Sequence, residues 1–112
     1  MSELAEQHCS NNIELAPKLG DDDAKSLLSS LDEAWQLDLD NQLLSRNFEF
    51  KNYYQTMAFA NVVAWIAHQQ DHHPDMTISY RHCHVAFTTH SVNGLSINDF
   101  ICAARIDALQ SR

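Results

Sequence analysis

The chain has 112 residues, 45% hydrophobic and 20% charged, a composition typical of one globular domain and not of a disordered segment. Its 15 acidic and 7 basic residues give a net charge of −8, which disfavours direct binding to a nucleic-acid backbone. No apolar run is long enough for a membrane helix and the first residues are polar, so we expect a cytoplasmic protein that does not bind membranes.

The first part of the chain has no clear hydrophobic period. We therefore expect residues 1–21 to form an irregular arm and residues 22–112 to form the domain. Aspartates at positions 21–23 are good helix caps and favour a short first helix from about residue 22 to residue 33.

Two alternating segments follow the first helix. Trp35 to Asp40 alternates apolar and polar residues, as a half-buried strand does, and Leu44 to Phe50 repeats the pattern after a turn. The two segments predict a β-hairpin. Arg46 lies on the apolar face of the second strand, and we expect it to be paired with another side chain or to lie at the rim of that face, and not to bind a ligand.

A long helix is predicted from Asn52 to about Asp71, where no proline or glycine occurs. It is apolar over so much of its circumference that we expect burial against the sheet and against another subunit. Pro74 disfavours the helical conformation at His73, so the helix must end by His72. Its predicted apolar stripe contains Tyr53, Met57, Ala60, Ala64 and Ala67.

The sequence pattern of the C-terminal third of the chain predicts two strands and a last helix. Ile78 to Thr89 has the pattern of a long strand, and a short strand is expected near residues 76–79. Asn93-Gly94 is a turn sequence, and Ser96 then caps a helix that continues to about Leu109. The apolar face of the long strand contains Cys83, Val85 and Phe87.

These elements define a fold class. The predicted order is helix, two strands, long helix, two strands and helix. Strands joined by short turns favour an antiparallel sheet. We predict a two-layer α+β domain with a four-stranded antiparallel sheet and three helices packed on one face.

The candidate chemistry lies among the histidines. His72 and His73 end the long helix and His90 ends the long strand, and imidazole exchanges protons near neutral pH. Together they could form one acid–base site. Alternatively, His72 and His73 are polar residues favoured by the helix dipole, and His90 is a loop residue. Asp99 follows Ser96 at capping-box spacing, so we expect it to hold the helix start and to affect the site through geometry.

A metal site is an alternative use of the histidines. His68 and His72 are four residues apart, and His82 and His84 follow on the long strand. The helix lacks the glutamate that identifies a metalloprotease helix. The three widely spaced cysteines contain no Cys-x-x-Cys pair and indicate neither a zinc ribbon nor a disulfide framework. They are Cys9, Cys83 and Cys102.

One set of residues resembles a known family. Asp71-His72-His73-Pro74, followed by Thr89-His90, Gly94-Leu95-Ser96 and Asp99, resembles the signature of the pterin-4a-carbinolamine dehydratases, with no gap in spacing. The resemblance covers about residues 22–110. The first twenty residues resemble an arm found on some bacterial members.

The resemblance implies dehydration of 4a-hydroxytetrahydropterin to quinonoid dihydropterin, which recycles tetrahydropterins such as tetrahydrobiopterin after aromatic amino-acid hydroxylation. By position, it makes His72 and His90 the general acid and base, while His73 holds the pterin. It implies no metal and no cofactor, a homodimer or homotetramer, and an aromatic amino-acid hydroxylase as a candidate partner. The residues expected to contact the pterin are His73, Pro74, Thr89, His90, Ser91 and Val92.

Two positions depart from the family pattern. Met76 stands where many members carry tryptophan, and His68 stands where many carry an acidic residue. We expect His68 to lie one helical turn from His72 and to tune its pKa. Two other functions remain open: a non-enzymatic dimerisation cofactor, as animal members are for a transcription factor, and a histidine-based metal-binding protein.

Overall fold

A computed structural model describes residues 3–110, which form three α-helices, two short 3-10 helices and a four-stranded sheet. None of the helices in this part of the chain combines the length and hydropathy that a membrane span requires. The 3-10 helices are Glu3–Glu6 and His90–Val92. The other elements are α1 (Asp21–Leu28), β1 (Gln36–Asp38), β2 (Leu43–Glu49), α2 (Tyr53–Gln70), β3 (Asp75–Ile78), β4 (His82–Phe87) and α3 (Ile97–Gln110).

The sheet has the order β1-β2-β4-β3, and every neighbouring pair is antiparallel. Its apolar face forms the core with the helices, so the predicted α+β class is confirmed. Both strands predicted in this region exist, but the long one begins at His82 and not at Ile78, because the chain turns between β3 and β4, where Ser79 N donates to His82 O at 2.9 Å. The predicted inward face of β4 is correct, with Cys83, Val85 and Phe87 all buried.

Helix α2 begins and ends where the sequence predicts. The Asn52 side chain caps it by accepting from Gln55 N at 2.9 Å. Asp71 ends it in a left-handed conformation (φ 52°), and His72 N donates to Ala67 O at 3.1 Å. The predicted stripe lies only partly on the side buried within this chain, because Tyr53 and Ala64 are exposed. The buried side contains Thr56, Phe59, Ala60, Val63, Ile66, Ala67 and Gln70.

Helix α1 is shorter than predicted. Its aspartates occupy the first turn, but the helix ends at Leu28, and the next residues form turns, with Ser29 Oγ donating to Ser26 O. Serine side chains that bond to nearby carbonyls compete with continued helix, which accounts for the early end.

The arm packs against α3. Leu4 of the first 3-10 helix is buried in the core, and Arg105 of α3 donates to Gln7 O. Further along the arm, Leu19 N donates to Leu95 O at 2.7 Å. Helix α3 therefore lies between the arm and the rest of the domain, and its residues 98–104 are all buried.

Candidate active site

The left-handed turn at Asp71 directs the chain away from α2 and places His72 beneath the start of α3. His72 Nε2 lies 2.6 Å from Asp99 Oδ1, and its ring is stacked on Phe87 of β4 with centroids 6.0 Å apart and an interplanar angle of 7°. The side chains of His72 and Asp99 are 11% and 0% exposed. The imidazole is therefore held by one residue of the sheet and one of α3.

Asp99 uses both carboxylate oxygens. While Oδ1 contacts His72, Oδ2 accepts from Ser96 N at 3.0 Å and from Thr89 Oγ1 at 2.8 Å. The Ser96 and Thr89 hydroxyls are also 2.8 Å apart. The capping role predicted for Asp99 is present, but its direct contact with His72 was not predicted. One buried carboxylate thus connects the helix start to the imidazole.

The charge state of His72 follows from its surroundings. Burial lowers the pKa of His72, but the hydrogen bond and negative charge of Asp99 act in the opposite direction and prevail, so the pKa is raised above 6.5. Smaller contributions from Cys9 and Asp71 also raise it. His72 is therefore suited to hold a proton near neutral pH and to donate it.

A cavity of about 230 Å³ opens beside His72. His73 and His90 also line it, so the structure brings these three histidines to one cavity. Among the described residues, Pro74 and Val92, which were expected to contact a ligand, are not part of the lining. The complete lining is Ser10, Asn11, Ile13, Ala16, Asp71, His72, His73, Thr88, Thr89, His90, Ser91 and Asn98.

The arm supplies one wall of the cavity. Ser10 and Asn98 bond reciprocally, with Ser10 N donating to Asn98 Oδ1 at 3.1 Å and Asn98 Nδ2 donating to Ser10 O at 2.8 Å. Asn11 Nδ2 donates to Asp71 Oδ2 at 2.8 Å. Sequence reasoning missed this wall, because the arm has no periodic pattern and an asparagine inside α3 carries no distinguishing motif.

His68 does not have the position that the sequence analysis assumed. Its side chain is exposed on α2, whereas His72 lies beyond the left-handed Asp71 and outside the helix. The four-residue helical spacing therefore does not bring the two rings together, and the group that pairs with His72 is Asp99.

The described residues provide no set of ligands for the alternative in which the histidines bind a metal ion. Within residues 3–110, no group of three or more His, Cys, Asp or Glu side chains is placed to hold a metal ion. His82, one of the histidines considered for it, lies 3.0 Å from Asn47 Nδ2 through its Nδ1 atom.

Comparisons with a family model and with similar proteins all point to one family. The family model described as pterin 4 alpha carbinolamine dehydratase matches residues 17–109. A protein of Nitrosomonas eutropha, provisionally named a pterin-4-alpha-carbinolamine dehydratase, is 53% identical over 96% of this chain and 93% of its own length. A Legionella pneumophila protein with the same provisional name is 47% identical over 96% of each chain.

Two solved structures share the fold. A crystal structure from Brucella melitensis, described as a transcriptional coactivator/pterin dehydratase, is 28% identical with a TM-score of 0.77, covering 82% of this chain and 97% of that one. A pterin dehydratase-like protein, described as a RuBisCO assembly factor in the alpha-carboxysome, is 23% identical with a TM-score of 0.59, covering 69% and 89%. At that lower identity, the second likeness concerns the fold alone.

Proposed function

The chain belongs to the pterin 4 alpha carbinolamine dehydratase family, and from this membership we propose that it removes water from a 4a-hydroxytetrahydropterin. The enzyme is a hydro-lyase. Its product in this proposal is the quinonoid dihydropterin, which supports tetrahydropterin recycling after aromatic amino-acid hydroxylation. A hydroxylase that releases the carbinolamine is the candidate partner.

The reaction requires two proton transfers. The C4a–O bond breaks as a proton reaches the leaving hydroxyl, and a proton leaves a ring nitrogen as the new double bond forms. His72 is suited to the first transfer, since the pKa of its imidazole is raised. Asp99 occupies Nε2, which leaves Nδ1 as the nitrogen available to the substrate.

His90 is the proposed acceptor of the second proton. It is exposed on the second 3-10 helix and lines the cavity, as does His73, which is proposed to hold the pterin. The observation that carries the proposal is the buried Asp99–His72 pair at a cavity that His73 and His90 also line. Both steps are proton transfers, so the proposal assigns no metal and no cofactor.

The test is turnover of a synthetic carbinolamine pterin by single variants. We expect His72→Gln and His90→Ala each to lower turnover about 100-fold or more, because each removes a general acid or base. Glutamine is chosen at position 72 because it can still donate to the buried Asp99. His68→Ala is the matched control, since it removes an exposed histidine outside the cavity. Full activity of either site variant, or activity that a chelator abolishes and zinc restores, would contradict the proposal.

A protein-binding role is the second candidate. It is favoured by the exposed aromatic residues of α2, Tyr54 and Trp65, and by the description of the Brucella structure as a transcriptional coactivator. Such a role would use the surface of α2 and not the histidines. A His72→Gln variant that loses turnover but keeps a partner would therefore assign the two roles to separate surfaces.

A further inference from the structure

Two cysteines distant in sequence meet behind the candidate site. Cys9 Sγ, on the arm, lies 3.6 Å from Cys102 Sγ, on α3, although 93 positions separate the two residues. Cys102 Sγ also lies 4.0 Å from His72 O. The third cysteine, Cys83, is buried on β4. We propose that Cys9 and Cys102 form a redox-active thiol pair that a hydroperoxide converts to an intramolecular disulfide.

The two thiols differ in exposure and in pKa, as a redox-active pair requires. Cys9 is half-buried and therefore accessible to a small oxidant, whereas Cys102 is fully buried. The hydrogen bond between the thiols lowers the pKa of Cys9, which burial partly opposes, and the charge of His72 lowers it further. The same contact raises the pKa of Cys102. Cys9 is thus the sulfur that becomes a thiolate and is attacked first.

The chemical step is balanced with one hydroperoxide molecule. The Cys9 thiolate attacks a peroxide oxygen, the O–O bond breaks, and Cys9 becomes a sulfenic acid as hydroxide leaves. Cys102 then loses its proton and attacks the Cys9 sulfur, which breaks the S–O bond and releases water. Two thiols and one hydrogen peroxide give one disulfide and two water molecules. A dithiol reductant reverses the change by thiol–disulfide exchange.

The geometry allows this bond with a small movement. The sulfurs must approach from 3.6 Å to about 2.05 Å. Cys9 lies in an irregular segment between the first 3-10 helix and the turn at Asn12, where the backbone is not restrained by a helix or strand. Because Cys9 N donates to Gln70 Oε1 at 2.8 Å, the sulfurs approach by rotation of the Cys9 side chain and a small shift of the arm against this hydrogen bond, while Cys102 stays in place.

The disulfide would attach the arm, which supplies one wall of the cavity, to α3. Ser10 and Asn11 follow Cys9 directly and line the cavity beside His72. Oxidation would thus hold the arm over the site, and reduction would leave it tied by hydrogen bonds alone. Oxidation of the two thiols does not depend on the dehydratase assignment, so each proposal can still be tested if the other fails.

The experiment treats the full chain with one equivalent of hydrogen peroxide and then counts free thiols after denaturation. We expect the count to fall from three to one, with Cys83 the remaining thiol and one disulfide-linked peptide pair containing Cys9 and Cys102. The closed loop is long, so the thermal midpoint of the oxidised chain should rise by roughly 5–15 °C, and a dithiol should reverse both changes.

Matched variants make the result decisive. Cys83→Ala should still lose two thiols, and Cys9→Ser should form no intramolecular disulfide. Because Cys9 is half-buried, Cys9→Ser keeps the test readable if the fully buried Cys102 does not tolerate substitution. Retention of three thiols, oxidation of Cys9 to a sulfenic acid without a disulfide, or disulfides only between molecules would each overturn the proposal.

Discussion

At the scale of single residues, Asp99 connects protonation to helix geometry. Its two oxygens bind the start of α3 and the imidazole of His72 at the same time. Burial lowers the pKa of His72 and Asp99 raises it, and the second influence prevails. Since Asp99 belongs to a capped helix, the imidazole has a fixed orientation as well as a stabilised positive charge.

A substitution at Asp99 tests this connection. If protonated His72 is the acid, turnover is present below the pKa of His72 and lost above it. Asp99→Asn removes the negative charge that raises this pKa, so the alkaline limb of the pH–rate profile should move to lower pH. The measurement is turnover against pH, with NMR titration of the His72 ring as an independent readout.

His68→Glu is the matched control for this experiment. It adds a carboxylate on the exposed side of α2, at a position that has no hydrogen bond to His72 within the described part of the chain. The alkaline limb should therefore stay at the same pH. An unchanged limb in Asp99→Asn would show that Asp99 does not govern the protonation of His72, and a limb that moves with His68→Glu would show that position 68 also influences it.

At the scale of elements, Asp107 joins α3 to the first hairpin. Its Oδ1 accepts from Trp35 Nε1 at 2.8 Å and from Arg46 NH1 at 3.0 Å, and its Oδ2 accepts from Asp32 N at 2.9 Å. Arg46, expected from the sequence to be paired, also lies over the Phe48 ring at 4.4 Å. One carboxylate near the end of α3 thus holds a buried tryptophan and a mostly buried arginine.

Removing this carboxylate should be costly. We expect Asp107→Ala to lower the free energy of unfolding by about 2–3 kcal/mol, because it leaves Trp35 without its acceptor and Arg46 with only the longer contact to Asp32 Oδ1, at 3.5 Å. Urea denaturation measures the loss. Glu33→Ala, an exposed acidic residue nearby, is the control and should change stability by less than about 0.5 kcal/mol. Equal values for the two variants would mean that Asp107 does not tie α3 to the hairpin.

At the scale of the whole molecule, the outward side of α2 is unusually apolar for a surface. Trp65 is 61% exposed, Tyr54 is 82% exposed, and Val62 lies on the same helix with 40% exposed. The sheet also ends in two edge strands, β1 and β3. Monomers rarely leave aromatic patches and sheet edges uncovered together, which favours a homodimer or homotetramer.

Sedimentation velocity at micromolar concentration tests the assembly. We expect the native chain to sediment as a species larger than 12.8 kDa, the mass of one chain. Trp65→Glu should shift it toward that mass, because a buried carboxylate without a partner disfavours an interface. Glu33→Gln, away from α2, should leave it unchanged. A native chain that sediments only at 12.8 kDa would refute the prediction.

Local features were readable from the sequence because they depend on neighbours along the chain. Asn52 and Pro74 set the limits of α2, since a cap and a helix-breaking ring act within a few residues. Alternation placed Cys83 and Phe87 on the inward face of β4, because successive side chains of a strand point to opposite faces. The histidines of the site were candidates from their residue type and position, and the family resemblance added the roles that the His72 and His90 variants test.

Contacts between elements were decided only by the tertiary structure. The pairing of His72 with Asp99, the arm wall at Ser10 and the thiol pair of Cys9 and Cys102 all join segments far apart in sequence. The period of an apolar pattern reports which residues share a face, but not what lies against that face. The sequence therefore did not separate the side of α2 that packs in this chain from the side that is exposed on it, and the capping role of Asp99 did not reveal that its other oxygen binds His72.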